Sequence, residues 1–457
     1  MLAVVVSRAD DASVRIGEHL REMADTRQVR DDTRPDAEGG GTVARADGLA
    51  IREFDRLHLD LVRPADAFDD PDLLVFASRH SGETGPLLTA HHTGNVGPAD
   101  HGGEPDELAR ACPNAHRTVV EALAEHAPDG YDVGIECTHH GPSEVGAPSM
   151  FVEVGSGPEQ WADPDAAEAV ASAIFALRGV APDRPADTDV DRHHLIGIGG
   201  GHYAPRFERI VRETDWAIGH VLADWGLDRL DGLDGSRGRD LLSEALERSR
   251  AAYALFDRDA DDAAVAAVGA AGGRCVDETW VRETDGLALD FVRRVEDAVM
   301  TVEEGLRFGD AAGHDGGFDV EPLPETLLDE ARGIDRGTVR DLLERTALAF
   351  GTDQGGSRVT GPAVLRPSAN RAPIVAGLVD LLRERYDEVE RTGDAVIARE
   401  TAFDPEKAAT LGVPEGPKFG RLAGGEPVEV DGDTVPPEAV HEEREKRFEV
   451  YTGRRKS

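Results

Sequence analysis

Short apolar runs of the length a buried strand uses alternate with helix-period stretches through the first 285 residues, and this constrains the chain more than any other feature. Leu2 to Ser7 (LAVVVS), Leu73 to Ala77 (LLVFA), Leu87 to Ala90, Val133 to Cys137, Phe151 to Val154 and Leu195 to Ile198 read as strands apolar on both faces. Between them, Val14, Ile16, Leu20 and Met23 keep a helical spacing, and helices are expected around Ala115 to His126 and from Asp163 to Leu177. Strand and helix in alternation predict an α/β domain, with a mixed or largely parallel central sheet flanked by helices. The acidic, Gly-rich stretch 31 to 47 interrupts that pattern as a surface loop or hairpin excursion. Beyond residue 285 the spacing turns helical, over Leu287 to Met300, Thr338 to Phe350 and Ile374 to Val389, and a Pro/Gly-rich tail follows. The predicted organisation is one domain over 1–285, a smaller, mainly helical extension over 286–400 and a C-terminal module over 401–457 with a basic end.

Composition narrows the setting. Cys112, Cys137 and Cys275 are odd in number and form no C-x-x-C pair, which fits a reducing cytoplasm better than a disulfide framework. No signal-like start and no apolar run of the roughly 20 residues a membrane span needs are present, so no membrane partner is expected. A net charge of −40 argues at first sight against a polyanionic partner. All four lysines, Lys407, Lys418, Lys446 and Lys456, lie near the C-terminus, however, and every earlier basic side chain is Arg. Scarce Lys, dispersed Asp and Glu and 5% aromatic residues describe a surface suited to molar salt, where the Debye length shrinks to about 3 Å. The charge then reports habitat rather than partner, and a monomer is slightly favoured.

Histidine carries the chemical signal. Eleven of the 16 histidines fall between His80 and His202, where an even scatter would place about four. Six of them occupy four segments: Ser78 to Thr84 with His80, Ser81 and Gly82; His91 to Asn95; Glu136 to Pro142 with Thr138, His139 and His140; and Gly199 to Tyr203 with Gly200, Gly201 and His202. Imidazole changes charge near neutral pH and is the commonest metal ligand, so convergent loops of this kind suggest proton transfer or zinc chemistry. On a strand, one ring of each His-His pair points to either face, so one of His91/His92 and one of His139/His140 suffice for a site. Glu136 and Glu153 stand out among the acids because apolar neighbours surround them on expected strands. The Gly199 to Gly201 run after a strand suits a backbone phosphate cradle. Neither a Walker lysine nor a G-x-S-x-G elbow is present, which weighs against nucleotide hydrolysis and a serine esterase.

At SRHSGETGPLLTAHHTGN (Ser78 to Asn95), GIECTHHGPSEVGAPSMFVEVGS (Gly134 to Ser156) and GIGGGHYAPRF (Gly197 to Phe207), the sequence resembles the archaeal and plant D-aminoacyl-tRNA deacylase family. The resemblance implies hydrolysis of the ester between a D-amino acid and the 3′ end of tRNA, with zinc as cofactor. It also implies a fold similar to the phosphorylase/peptidyl-tRNA hydrolase group. It covers roughly residues 1 to 285, and the stretch 31 to 47 looks longer than the family pattern. The expected catalytic groups are His80, His140 and His202, with Glu136 and Glu153 as orienting carboxylates. Expected metal ligands are His80, His92, His140 and His202. Ser81, Gly82, Thr84, Asn95, Thr138, Gly199, Gly200, Gly201 and Tyr203 are the expected substrate contacts. Rival readings are a zinc-dependent peptidyl-tRNA hydrolase or amidohydrolase, a non-catalytic tRNA-binding protein, and, by fold analogy alone, a nucleoside phosphorylase. In the tail, Leu411 to Leu422 (LGVPEGPKFGRL) resembles a segment of tRNA 3′-end endonucleases whose metal-binding His motif is missing here. The terminal Arg454-Arg455-Lys456 favours contact with RNA phosphate.

Overall fold

A computed structural model describes residues 1–185, 192–230, 232–313, 316–367 and 369–450, so the basic end at 454–456 lies outside the described residues. Two compact units part between Asp290 and Phe291. The first carries the histidine-bearing segments.

Strand β1 (Leu2–Ser7) is buried along its whole length, as an all-apolar run requires, and forms the middle of an eight-stranded mixed sheet. Helix α1 (Asp11–Met23) follows, its first N–H groups capped by the Asp10 carboxylate and its Ala12, Ile16 and Leu20 stripe turned inward. Strands β2 (Arg27–Asp31) and β3 (Gly41–Ala46) pair antiparallel, so the Gly-rich excursion is a hairpin at the sheet edge. Then come β4 (Leu49–Phe54), β5 (Leu73–Arg79), β6 (Leu87–His92), helix α2 (Pro113–His126), β7 (Asp132–Ile135), β8 (Ser149–Gly155), the single turn α3 (Pro158–Trp161) and helix α4 (Pro164–Phe175). The order across the sheet is β2-β3-β4-β1-β5-β8-β6-β7, with β4, β1, β5 and β8 parallel and β6 antiparallel to β8. Helices α1, α2 and α4 pack together on one face. The other face carries Phe76 and Phe151 under Leu61, Ala65, Ala67 and Phe68.

A second, four-stranded sheet is wholly parallel: β9 (His194–Ile198) lies between β10 (Ala217–Leu222) and β11 (Tyr253–Phe256), and β12 (Arg274–Val276) closes the edge. Its loop after β9 runs beside the end of β7, because the Cys137 N–H donates to His202 O (2.8 Å) and the Ala204 N–H to Ile135 O (2.9 Å). This attachment carries His202 to the first sheet.

The expectation of a mainly helical C-terminal region is corrected. Helices Glu325–Ile334, Arg336–Thr346 and Ala372–Leu382 share their core with antiparallel strands, among them Ala349–Asp353 paired with Arg358–Leu365. The expected helices at 338 to 350 and 374 to 389 stop at Thr346 and Leu382, and strands Ala349–Asp353 and Glu388–Arg391 take over. A short apolar run such as Leu348 to Phe350 serves helix and strand alike, and only its partners decide. Strand Ala395–Phe403 crosses residue 400 and pairs along nine residues with His441–Glu449. Its Arg399 bridges Glu388 and Glu445 at 3.0 Å each, a charged pairing that hydrophobic periodicity does not register.

Candidate active site

Strand alternation sorts the two histidines of β6. His91 pairs with Phe151 across β6 and β8, stacks on its ring at 5.1 Å, and so shares a face with Glu153 two residues along. His92 faces the helices. Its ring lies 4.6 Å from His116 of α2 and 5.6 Å from His220 of β10, and its Nδ1 donates to Gly219 O (3.0 Å). His92 is therefore away from the other expected ligands.

On the Phe151 face a cavity of about 300 Å³ is lined by Asp10, Leu57, His58, Leu59, Ser78, Arg79, His80, Ser81, His101, His139, His140, Phe151, Glu153 and His202. Behind it, His91, His139 and His140 form a knot, with ring centroids 4.4 to 4.6 Å apart. Both members of the His139-His140 pair join it, because β7 ends at Ile135 and the two-residue alternation of a strand no longer applies beyond that point. Each ring has the same orientation. His91 Nδ1 donates to His92 O (3.0 Å), His139 Nδ1 to Cys137 O (2.8 Å) and His140 Nδ1 to Gly141 O (3.2 Å). A proton on Nδ1 leaves the Nε2 lone pair free, the tautomer that metal ligation uses. Potential donor atoms of the three residues lie within 4.8 Å of one another, and among the described residues His91 Nε2 is buried without a hydrogen-bond partner. Burial pushes His140 down to about 4 and, with the neighbouring imidazoles, holds His139 well below the ordinary imidazole value, which favours the neutral form that ligation requires.

Glu136 lies deep beside this knot. His202 Nε2 donates to its Oε2 (2.7 Å), and His139 Nε2 lies 3.7 Å from the same oxygen. His80 Nδ1 is 3.2 Å from Glu136 Oε1 and 3.6 Å from Glu153 Oε2, and His80 Nε2 is 2.8 Å from the Tyr203 hydroxyl. Burial opposes a charge on His80, but the two carboxylates outweigh it and push the imidazole up to about 11. Burial likewise works against the Glu136 charge, and its histidine partners hold it well below the usual carboxylate range. His91 Nε2, 3.9 Å from Glu153 Oε1, is raised by that carboxylate against burial.

Five expected groups thus meet: His80, His140, His202, Glu136 and Glu153, with Tyr203 beside them. Ser81 lines the cavity, and Gly82 passes over the His80–Tyr203 pair, where a β-carbon would meet His80 Nε2 at 2.9 Å. The Gly82 N–H already donates to Ser156 O (3.1 Å). Thr84 Oγ1 holds Ser156 Oγ (2.6 Å) at the rim. The remaining expected contacts lie elsewhere. Thr138 hydrogen-bonds His220 Nδ1 (3.0 Å), and Asn95 ties its own loop through Gly102 O and Glu104 O. A β-carbon on Gly199 or Gly200 would meet Asp224 or Asp257 at 3.2 Å, so these glycines face carboxylates that repel phosphate, and Gly201 is exposed. Sequence reasoning missed His91 and His139 as members of the knot, and Arg79, Asp10, His58 and His101 as lining. The LLTAHH alternation separates His91 from His92, but only the sheet register says which side is the cavity.

Fold and site define a class: an α/β protein with a buried imidazole–carboxylate centre fitted to hydrolysis. The pattern of the family described as D-aminoacyl-tRNA deacylase matches residues 67–269, which include every group of this centre. Over 451 residues the chain is 54% identical to the D-aminoacyl-tRNA deacylase of Haloarcula marismortui, covering 98% of this chain and 100% of that one. It is 33% identical to the D-aminoacyl-tRNA deacylase of Methanoregula boonei, with 98% of each covered. A crystal structure of a conserved protein of unknown function superposes with a TM-score of 0.54 at 31% identity, covering 62% of this chain and 98% of that one. The chain belongs to the D-aminoacyl-tRNA deacylase family. The end-to-end matches include the region after residue 285, which these relatives share.

Proposed function

We propose that the cavity hydrolyses the ester joining a D-amino acid to the 3′ end of tRNA, freeing both, as a check on chirality and a means of recycling tRNA. The observation that carries this reading is the convergence of three Nδ1-anchored imidazoles with a His202–Glu136 dyad on one cavity. His91, His139 and His140 would hold zinc; their potential donor atoms lie within 4.8 Å of one another, whereas His92 sits on the other face with His116 and His220, which favours this set over one that includes His92. Zinc bound there supplies Lewis-acid polarisation for attack on an ester carbonyl.

The chain's own groups do the rest. His202, oriented by Glu136, takes the proton from the attacking water and returns it to the ribose oxygen as the C–O bond breaks. Charged His80, locked between Glu136, Glu153 and Tyr203, holds positive charge near the developing oxyanion. Leu57, Leu59 and Phe151 form an apolar wall, and an L side chain would be rejected there by clash. The setting we infer is a high-salt cytoplasm, on the strength of the acidic, Lys-poor composition. Among the described residues no helix is long and apolar enough to cross a membrane.

The test is incubation of the full chain in molar KCl with matched D- and L-aminoacyl-tRNA and with N-blocked peptidyl-tRNA, with and without a chelator. Release of the D-amino acid alone, lost on chelation and restored by zinc, is expected. Cleavage of the N-blocked substrate instead would make the protein a peptidyl-tRNA hydrolase, and binding without release a tRNA-binding protein.

A further inference from the structure

We propose that Arg79 binds the phosphodiester on the 5′ side of the terminal nucleotide, reaching it from a seat on the face of Trp161. The inference rests on the reading of this cavity as the place where the ester is cleaved.

Arg79 ends β5 at the cavity wall, and its guanidinium carbon lies 4.9 Å from the centroid of the Trp161 ring. Trp161 is itself fixed, because its Nε1–H donates to the carbonyl of His80 (2.8 Å). The indole is thus tied to the backbone of a residue in the charged centre. Stacking on it removes much of the rotamer freedom that a guanidinium otherwise loses on binding, and leaves the N–H edges for a ligand.

Those edges have no taker among the described residues. Elsewhere in this unit arginines are drawn into carboxylates: Arg8 with Glu53 and Asp55, Arg110 and Arg250 with Asp183, and Arg52 with Asp31. Among the described residues neither a carboxylate nor a hydrogen-bond acceptor takes the Arg79 guanidinium, in a chain with 90 acidic residues. The nearby acid of the lining, Asp10, is occupied, since it accepts from the backbone N–H groups of Ala12, Ser13 and Arg79. Arg79 is also the sole Lys or Arg among the residues that line the cavity.

An unpaired, pre-oriented guanidinium at the mouth of a site for an RNA terminus fits an anion with two oxygens in one plane, which a phosphodiester presents. The phosphate nearest the scissile ester in sequence is the one 5′ of the terminal ribose. Short-range bidentate contact also suits molar salt, where a charge acting at a distance is screened.

The experiment uses the full chain and one D-amino acid esterified either to adenosine, which has no phosphodiester, or to cytidylyl-adenosine, which has one. Wild type is expected to favour the dinucleotide ester in kcat/KM by about tenfold, mainly through KM. Arg79→Gln should cut that preference below about threefold, with Arg79→Lys between the two, because a point charge replaces a fork. On full-length substrate, Arg79→Gln should also reduce the slope of log KM against log salt by about 0.7, the share of one phosphate contact on a single strand. An unchanged preference in folded Arg79→Gln, or a wild type without preference, overturns the proposal. A wild type inactive on both esters and on full-length tRNA removes the active-site reading, and this inference with it.

Discussion

Two groups of histidines stand back to back across β6, and they differ in what burial has done to them. On the cavity side His80, His91, His139, His140 and His202 gather around two carboxylates, Glu136 and Glu153. On the helix side His92, His116 and His220 gather with no acid beside them among the described residues, and their ring protons go to backbone carbonyls of Gly219, Ala90 and Ala109. Apart from His202, whose side chain is 36% exposed, both groups are largely out of water. Carboxylates raise His80 and His91 in the first, whereas in the second burial is unopposed by any such charge and presses His116 and His220 down to about 4. In the mechanism we propose, the first group moves protons and holds a cation, and the second packs.

The comparison is most exposed to substitution of the knot. His91→Ala and His139→Ala should each lower turnover at least about a thousandfold and release bound zinc, measured by hydrolysis rate and metal content on the same samples. Activity with full metal content in either variant would dissolve the distinction. A somewhat smaller effect is expected of His202→Ala, a fall in kcat of about a hundredfold with KM and zinc content retained, because proton transfer is lost while the ligand set stands.

Across the strand the effect should appear in stability instead. His220→Ala removes hydrogen bonds to Thr138 and Ala109 O and opens a void, at a cost of about 2–4 kcal/mol in denaturant unfolding, while kcat/KM changes less than about threefold. Loss of turnover comparable to that of His202→Ala would put His220 in the chemistry.

His80 of the first group and His116 and His220 of the second should also titrate in opposite senses. His80 is raised in the fold, so its stabilisation is complete below its unfolded value near 6.5 and fades as pH climbs through about 11. His116 and His220 are depressed. Below about 6.5 the unfolded chain takes up protons that the fold refuses until about 4, so each removes up to about 1.4 kcal/mol per pH unit over that interval. Unfolding midpoints at constant salt should fall on the acid side in wild type and less steeply in His220→Ala, whereas His80→Gln should flatten the alkaline side only. A common shape for all three proteins would contradict the separation.

Much of this was legible before any coordinates. The strands β1, β5, β6, β8 and β9 follow from runs such as LAVVVS, whose side chains have no solvent-facing solution. Glu136 and Glu153 were marked by apolar neighbours that a free carboxylate would avoid. Periodicity failed where charge dominates, as in the pairing of Ala395–Phe403 with His441–Glu449. It failed again at His92, Thr138 and Asn95, whose sequence neighbours belong to the site while they do not.

The order of amino acids alone settled which segments are strands, that histidines concentrate in four of them or their loops, and that the surface is acidic. These are local matters of pattern and composition. Which imidazole of an adjacent pair meets a carboxylate was decided by strand register, by the end of β7 at Ile135 and by the loop after β9 lying alongside it. Side-chain charge inside a protein depends on distances of a few ångströms between residues up to 123 positions apart, such as His80 and Tyr203, and only the assembled sheets set those distances.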